Sequence, residues 1–230
     1  MKMIGLIGGM SWESSAEYYR IMNQTVQERL AGLHSAQCIL YSFDFQEIEQ
    51  LQHQGEWEEL TELMIRAAQR LKGAGAELLI ICTNTMHKMA EEVQRSVAIP
   101  LVHIADATAK AVIEKGLDKV ALLGTRFTME EDFYKKRLEE KYKLKVIIPS
   151  ESDREVIDHV IYNELCRGIM QPASKEKFKA IIRALASNGA EGVILGCTEI
   201  PLLISQQDAE IPLFDTTKIH AQAAVEMALE

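Results

Sequence analysis

Short apolar runs, each cut off by small or polar residues, alternate along this chain with longer stretches whose apolar positions recur at helical spacing. The short runs read as strands buried on both faces, and the longer stretches as amphipathic helices. Strands are predicted at residues 3–7, 38–43, 78–82 and 101–104, then at 120–123, 144–148, 193–196 and 213–214. A helix is predicted from the Ser11-Trp12-Glu13 stretch to about Leu30, with Ser11 as N-cap. Others fall at 56–72, from about Thr85 or Met86 onward, and at 106–114, 152–166, 174–187 and 217–229. Residues 44–55 read as a loop or short helix, and Thr128-Met129-Glu130-Glu131 as a capping box opening another. Strands alternating with helices mean βαβ units and parallel sheets.

The pattern occurs twice. Gly75-Ala76-Glu77 followed by Leu78 to Ile81 matches Gly189-Ala190-Glu191 followed by Gly192 to Leu195, which sets Thr83 opposite Cys197. Ile4 to Gly9 resembles Val120 to Thr125, and Ile99-Pro100-Leu101 returns as Ile211-Pro212-Leu213, all at nearly one offset. Three matches in the same order predict a duplicated α/β fold: two pseudo-symmetric doubly wound parallel-sheet halves with the active site in the cleft between them. The first half is expected to take residues 1–105 plus about 215–230, and the second residues 106–214.

Composition narrows the function. The formal charge of −9 and the lack of a basic run argue against a nucleic-acid partner. Cys38, Cys82, Cys166 and Cys197 lack C-x-x-C spacing, so neither a metal site nor a disulfide framework is expected. No apolar run reaches membrane-spanning length, and the first is too short for a signal-peptide core. A cytoplasmic protein without membrane contact is expected. Gly5-Leu6-Ile7-Gly8-Gly9-Met10 is not the dinucleotide fingerprint.

In open α/β sheets, ligands bind beyond the carboxyl ends of strands, where Cys197 falls. Two equivalent strand ends facing one small substrate suit moving a proton from one face of a carbon to the other. A thiol whose pKa is lowered at a helix N-terminus can be the base. Helix N-termini also offer N–H groups to a carboxylate, with Asn84, Thr85 and Thr198 adding side-chain donors.

Four motifs in order carry a resemblance over the whole chain: Gly8-Gly9-Met10-Ser11 with Tyr18-Tyr19; Asn84-Thr85-Met86-His87; Gly124-Thr125 with Thr128-Met129; and Gly196-Cys197-Thr198-Glu199. Together they resemble the cofactor-independent aspartate/glutamate racemase family. The resemblance implies a homodimer that racemises a free amino acid with two opposed cysteines and no cofactor. Within these motifs Asn84, Thr85, Thr128 and Thr198 are expected to bind substrate; Met10, apolar packing by periodicity, lines the cleft by its turn position, and Gln52 and Arg167 are candidates from outside the motifs.

Two departures matter. The family's first cysteine directly precedes Asn84-Thr85, but that residue is Thr83 here. Cys82 is one residue early, and alternation along a strand favours the core for it, whereas a Cys82 that reached the cleft would restore the symmetric two-thiol scheme. An asymmetric site follows, with Cys197 as base and Thr83 as donor, directly or through water. Aspartate-specific members hold the distal carboxylate with a basic residue after the second strand. Between Leu30 and Ile65 this chain has no Lys or Arg, which leaves Gln52 and Gln54 as the polar candidates, with Arg167 from the second half. Aspartate, glutamate or a broader range of amino acids would fit.

Plainer readings stand beside these. Isolated strand cysteines are usually structural, and a strand-end threonine such as Thr83 often only caps. His87 is either a capping residue or one that orients the site, and Glu199 either favours a helix start or tunes Cys197. A single thiol would also serve a decarboxylase or isomerase of this fold, and an inactive amino-acid sensor would keep the same pocket.

Overall fold

The computed structural model describes residues 1–230. The chain begins with β1 (Ile4–Gly8), α1 (Trp12–Leu30), β2 (Cys38–Ser42), α2 (Phe45–Gln54), α3 (Trp57–Gly73) and β3 (Leu78–Ile81), followed by a 3-10 turn over Thr85–Met89 and α4 (Ala90–Ser96). It continues through α5 (Ile104–Glu114), β4 (Lys119–Gly124), α6 (Arg126–Glu130), α7 (Asp132–Lys136) and β5 (Lys145–Ile147). Then come α8 (Glu151–Asn163), a 3-10 turn over Leu165–Arg167, α9 (Pro172–Ser187), β6 (Gly192–Gly196), α10 (Ile200–Leu203), β7 (Leu213–Asp215) and α11 (Thr216–Leu229). Two compact units result, Met1–Ile104 with His220–Glu230, and Ala105–Ile219.

The first unit holds a parallel sheet in the order β2-β1-β3. Alternate residues serve opposite faces, as strand geometry requires. Ile7, Leu79 and Ile81 pack with Leu60, Met64 and Ala67 of α3 and with Val93 of α4. Ile4, Leu6, Leu78 and Ile80 pack on the other side with Tyr18, Met22 and Val26 of α1 and Ala221, Ala224 and Val225 of α11. Cys82 lies fully buried in this second cluster, and burial raises its thiol pKa.

The second unit has a parallel sheet in the order β5-β4-β6-β7. Its first three strands repeat the topology of the first sheet. The fourth shows where the copies differ. Val193 pairs with Leu213 within β7, whereas the equivalent Leu79 makes only an isolated bridge to Leu101. The expected strand at 101–104 is therefore one bridging residue, because the backbone turns into α5 at Ile104.

The repeated Gly-Ala-Glu does the same work twice. Gly75 (φ +104°) and Gly189 (φ +87°) take left-handed conformations just past α3 and α9, which glycine adopts without a Cβ penalty. Ala76 and Ala190 then bond back to Leu71 and Leu185. Each glutamate clasps the start of the neighbouring strand: Glu77 accepts Met3 N–H at 2.7 Å, and Glu191 accepts those of Asp118 and Lys119 at 2.9 and 3.0 Å.

Two caps differ from expectation. Ser11 occupies the α1 N-cap position without the capping bond; instead Ser15 Oγ accepts Gly9 N–H (2.8 Å) and donates to Ser11 O (3.1 Å). In the second unit the cap is Thr125, whose Oγ accepts Thr128 N–H, so α6 starts one turn earlier than the expected box.

His220 lies at 0 % exposure in the first unit's core. Its Nε2 donates to Val102 O (2.7 Å) and its Nδ1 accepts the Tyr18 hydroxyl (2.8 Å), which makes it a neutral imidazole. Burial pushes its pKa down from 6.5 to about 4. The unfolded chain therefore binds more protons below pH 6.5, and stability should fall as pH drops from 6.5 to about 4, by about 3 kcal/mol from this residue. His220→Gln keeps a donor toward Val102 and cannot titrate. Its urea midpoint should change less over that range than the native protein's; equal slopes would contradict the assignment.

Candidate active site

The carboxyl end of β6 carries Cys197-Thr198-Glu199, all three buried. Gly196 and Gly124 are register partners at the ends of β6 and β4. A Cβ on Gly196 would lie 2.7 Å from Leu123 O, and one on Gly124 would lie 2.7 Å from Gly196 O. Thr128 fills the space beside both glycines, its Cγ2 within 3.2 Å of either imagined Cβ, and so reaches the residue just before Cys197. Glycine is required because the strand ends approach so closely.

Cys197 Sγ donates to Glu199 Oε2 at 3.0 Å, and Thr198 Oγ1 donates to the same oxygen at 2.8 Å. The thiol pKa is raised, first by burial and next by the Glu199 charge. The expectation of a thiol acidified at a helix N-terminus is thus corrected. α10 is a single turn of four residues, too short for a useful dipole, and the nearest charge is negative. Cys197 rests as a neutral thiol on a carboxylate.

The equivalent end of β3 carries Thr83, Asn84 and Thr85. Thr83 is half-buried, while Asn84 and Thr85 are buried at the start of the 3-10 turn. Ser14 Oγ of α1 donates to Cys82 O at 3.3 Å, which ties the Met10-Ser11 turn to this strand end. Met10 is buried, and Gly9 before it (φ +81°) tolerates no side chain: an added Cβ would sit 2.3 Å from Phe43 N and O. Gln52 of α2 is buried with Nε2 3.2 Å from Met86 Sδ, beside the same turn. Arg167 is exposed at the end of its 3-10 turn.

The comparisons with known proteins bear directly on this geometry. The family model for Asp/Glu/hydantoin racemases matches residues 7–224. The chain belongs to that family. As a member it is an isomerase, an amino-acid racemase. It is 26% identical over 171 residues to the broad specificity amino-acid racemase RacX of Bacillus subtilis (strain 168), covering 73% of this chain and 72% of that one. Among solved structures, a candidate Asp/Glu racemase from Yersinia pestis is 53% identical with a TM-score of 0.94, and both chains are covered completely. An aspartate racemase homologue from Pyrococcus horikoshii OT3 is 40% identical with a TM-score of 0.87, again over both whole chains.

The racemase also contains polar residues that no motif pointed to. Thr216 Oγ1 donates to Leu195 O at 2.8 Å, which fixes the start of α11 against the end of β6. Next to it, the buried Thr217 Oγ1 has no hydrogen-bond partner. Two adjacent threonines opening a helix read as ordinary caps, and only the strand pairing Leu195↔Asp215 shows which strand end they adjoin. No helix of the racemase is long and apolar enough to cross a membrane.

Proposed function

We propose that this racemase takes a free amino acid and, without a cofactor, moves the α-proton between Cys197 and Thr83 on opposite faces of the α-carbon. The observation that carries the reading is the bond from the Cys197 thiol to the buried Glu199 carboxylate. A proton passing along it leaves a thiolate beside a neutral carboxyl group, so the buried site gains no net charge. The thiolate then removes the α-proton and becomes a thiol again. Thr83 supplies a proton to the opposite face, directly or through water, and regains one from solvent, to which Glu199 gives up the proton it took from Cys197.

The substrate carboxylate falls to Asn84, Thr85, Thr128, the open Thr217 hydroxyl and the backbone N–H of Thr198, whose own hydroxyl is given to Glu199. These donors also stabilise the enolate-like charge that forms as the proton leaves. Met10 lines the pocket, and Gln52 and Arg167 receive the side chain. A single cation and a glutamine support aspartate or glutamate, or a wider range like that in the name of the Bacillus subtilis relative. We read the racemase as cytoplasmic and as a homodimer, the second reading supported by exposed Trp12 and Tyr19 on α1 and Leu40 on the edge strand β2.

Glu199→Gln tests the proton path. Removing the carboxylate charge should lower the pH at which the Cys197 thiolate absorbance appears. Turnover should nevertheless fall by about a hundredfold, because the internal proton acceptor is gone. Unchanged turnover, or a thiol that titrates at higher pH, would contradict the path. One thiol would equally protonate an enolate after loss of carbon dioxide, and gas release from a substituted malonate would favour that second reading.

A further inference from the structure

His87 makes two hydrogen bonds to backbone groups whose roles are fixed. Its Nδ1 lies 2.7 Å from Thr83 O, a carbonyl that can only accept, so Nδ1 carries the proton. Its Nε2 lies 3.2 Å from Ile104 N, an amide that can only donate, so Nε2 accepts. The ring is therefore held as one neutral tautomer with both nitrogens occupied, which removes it as a proton carrier in the reaction. Ile104 is the first residue of α5, and its N–H is one of the orphan donors that every helix start leaves. The imidazole takes the place of a serine or aspartate cap.

Ile104 is also the residue at which the chain leaves the first unit. The segment is gripped a second time, since Val102 O accepts from His220 Nε2. His103, between the two gripped residues, stacks at a tilt on His87 with ring centroids 4.7 Å apart, and His220 meets the His87 ring edge at 5.5 Å. Three buried imidazoles thus join the Thr83 peptide to the exit segment and, through Tyr18, to α1.

We propose that His87 is a positioning residue for Thr83: by bonding the Thr83 carbonyl while anchored on the first amide of α5, it sets where the Thr83 hydroxyl stands at the end of β3. This rests on the reading of Thr83 as the second proton-transfer group. A displaced donor is costly, because an error of about 1 Å in a reacting group can cost about a hundredfold in rate.

Two substitutions divide the bonds of the ring. His87→Asn places an amide N–H near the Nδ1 position and keeps the Thr83 bond. His87→Gln places an oxygen near the Nε2 position and keeps the Ile104 bond. The readout is proton NMR in deuterium oxide, which separates exchange with inversion from exchange with retention. Exchange with retention needs Cys197 and Glu199 but not Thr83, whereas inversion needs Thr83 as well.

His87→Asn should keep inversion within about threefold of the native rate. His87→Gln should lose about a hundredfold in inversion while retaining exchange in the enantiomer that Cys197 serves. Equal rates in the two variants, or inversion and exchange falling together in both, would overturn the positioning role and leave only a structural one. Native protein that exchanges neither enantiomer would instead sink the underlying racemase chemistry, a distinct outcome.

Discussion

Replacing Cys197 by serine is expected to lower both α-proton exchange and inversion by about a thousandfold, with little change in the unfolding midpoint. Serine retains a hydrogen-bond donor toward Glu199 Oε2, now 3.0 Å from the sulfur, and nearly fills the same space. The fold around β6 therefore has little reason to respond. The chemistry does, because a hydroxyl is a far weaker acid than a thiol and no transfer along the Glu199 bond would generate a useful base. General acid–base groups contribute about 10²- to 10⁴-fold each, and Cys197 is asked for the upper part of that range. Binding of the amino acid should persist. Turnover within about tenfold of native would exclude the thiol as the base.

Thr83→Ala should give a different pattern. Inversion is expected to fall by about a hundredfold or more, while exchange with retention survives in one enantiomer, since Cys197 and Glu199 remain in place. Deuterium incorporation into each enantiomer, followed separately by chiral chromatography and mass, checks this. Thr83→Cys adds the opposing thiol and should raise exchange from the other enantiomer. Loss of all exchange in Thr83→Ala, in step with inversion, would mean that the threonine supports the pocket and does not move protons.

Much of this fold is legible in a single sequence because its signals are local. Apolar runs mark β1, β3, β4 and β6, and the double Gly-Ala-Glu marks the turn that ends a helix and clasps a strand. Strand alternation favours the core for Cys82, and its burial with Ile4, Tyr18 and Val102 decides the matter. Capping is less secure: Thr125 and Thr128 are both plausible starts for α6, and only the backbone decides for Thr125.

The protonation states are not legible at all. The same Cys-Thr-Glu run would acidify the thiol beneath a long helix, yet here it leads into one turn and sets a carboxylate against the sulfur. His220 carries no signal either. Its partners Tyr18 and Val102 are far away in sequence and meet it only because α11 returns to the first sheet.

The most direct measurement is proton NMR of the native protein in deuterium oxide with each enantiomer of aspartate and glutamate and a panel of neutral amino acids. The α-proton signal should vanish with inversion of configuration, faster from one enantiomer than from the other in the initial exchange. A complete absence of exchange across the panel would contradict the proposal that Cys197 and Thr83 move an α-proton.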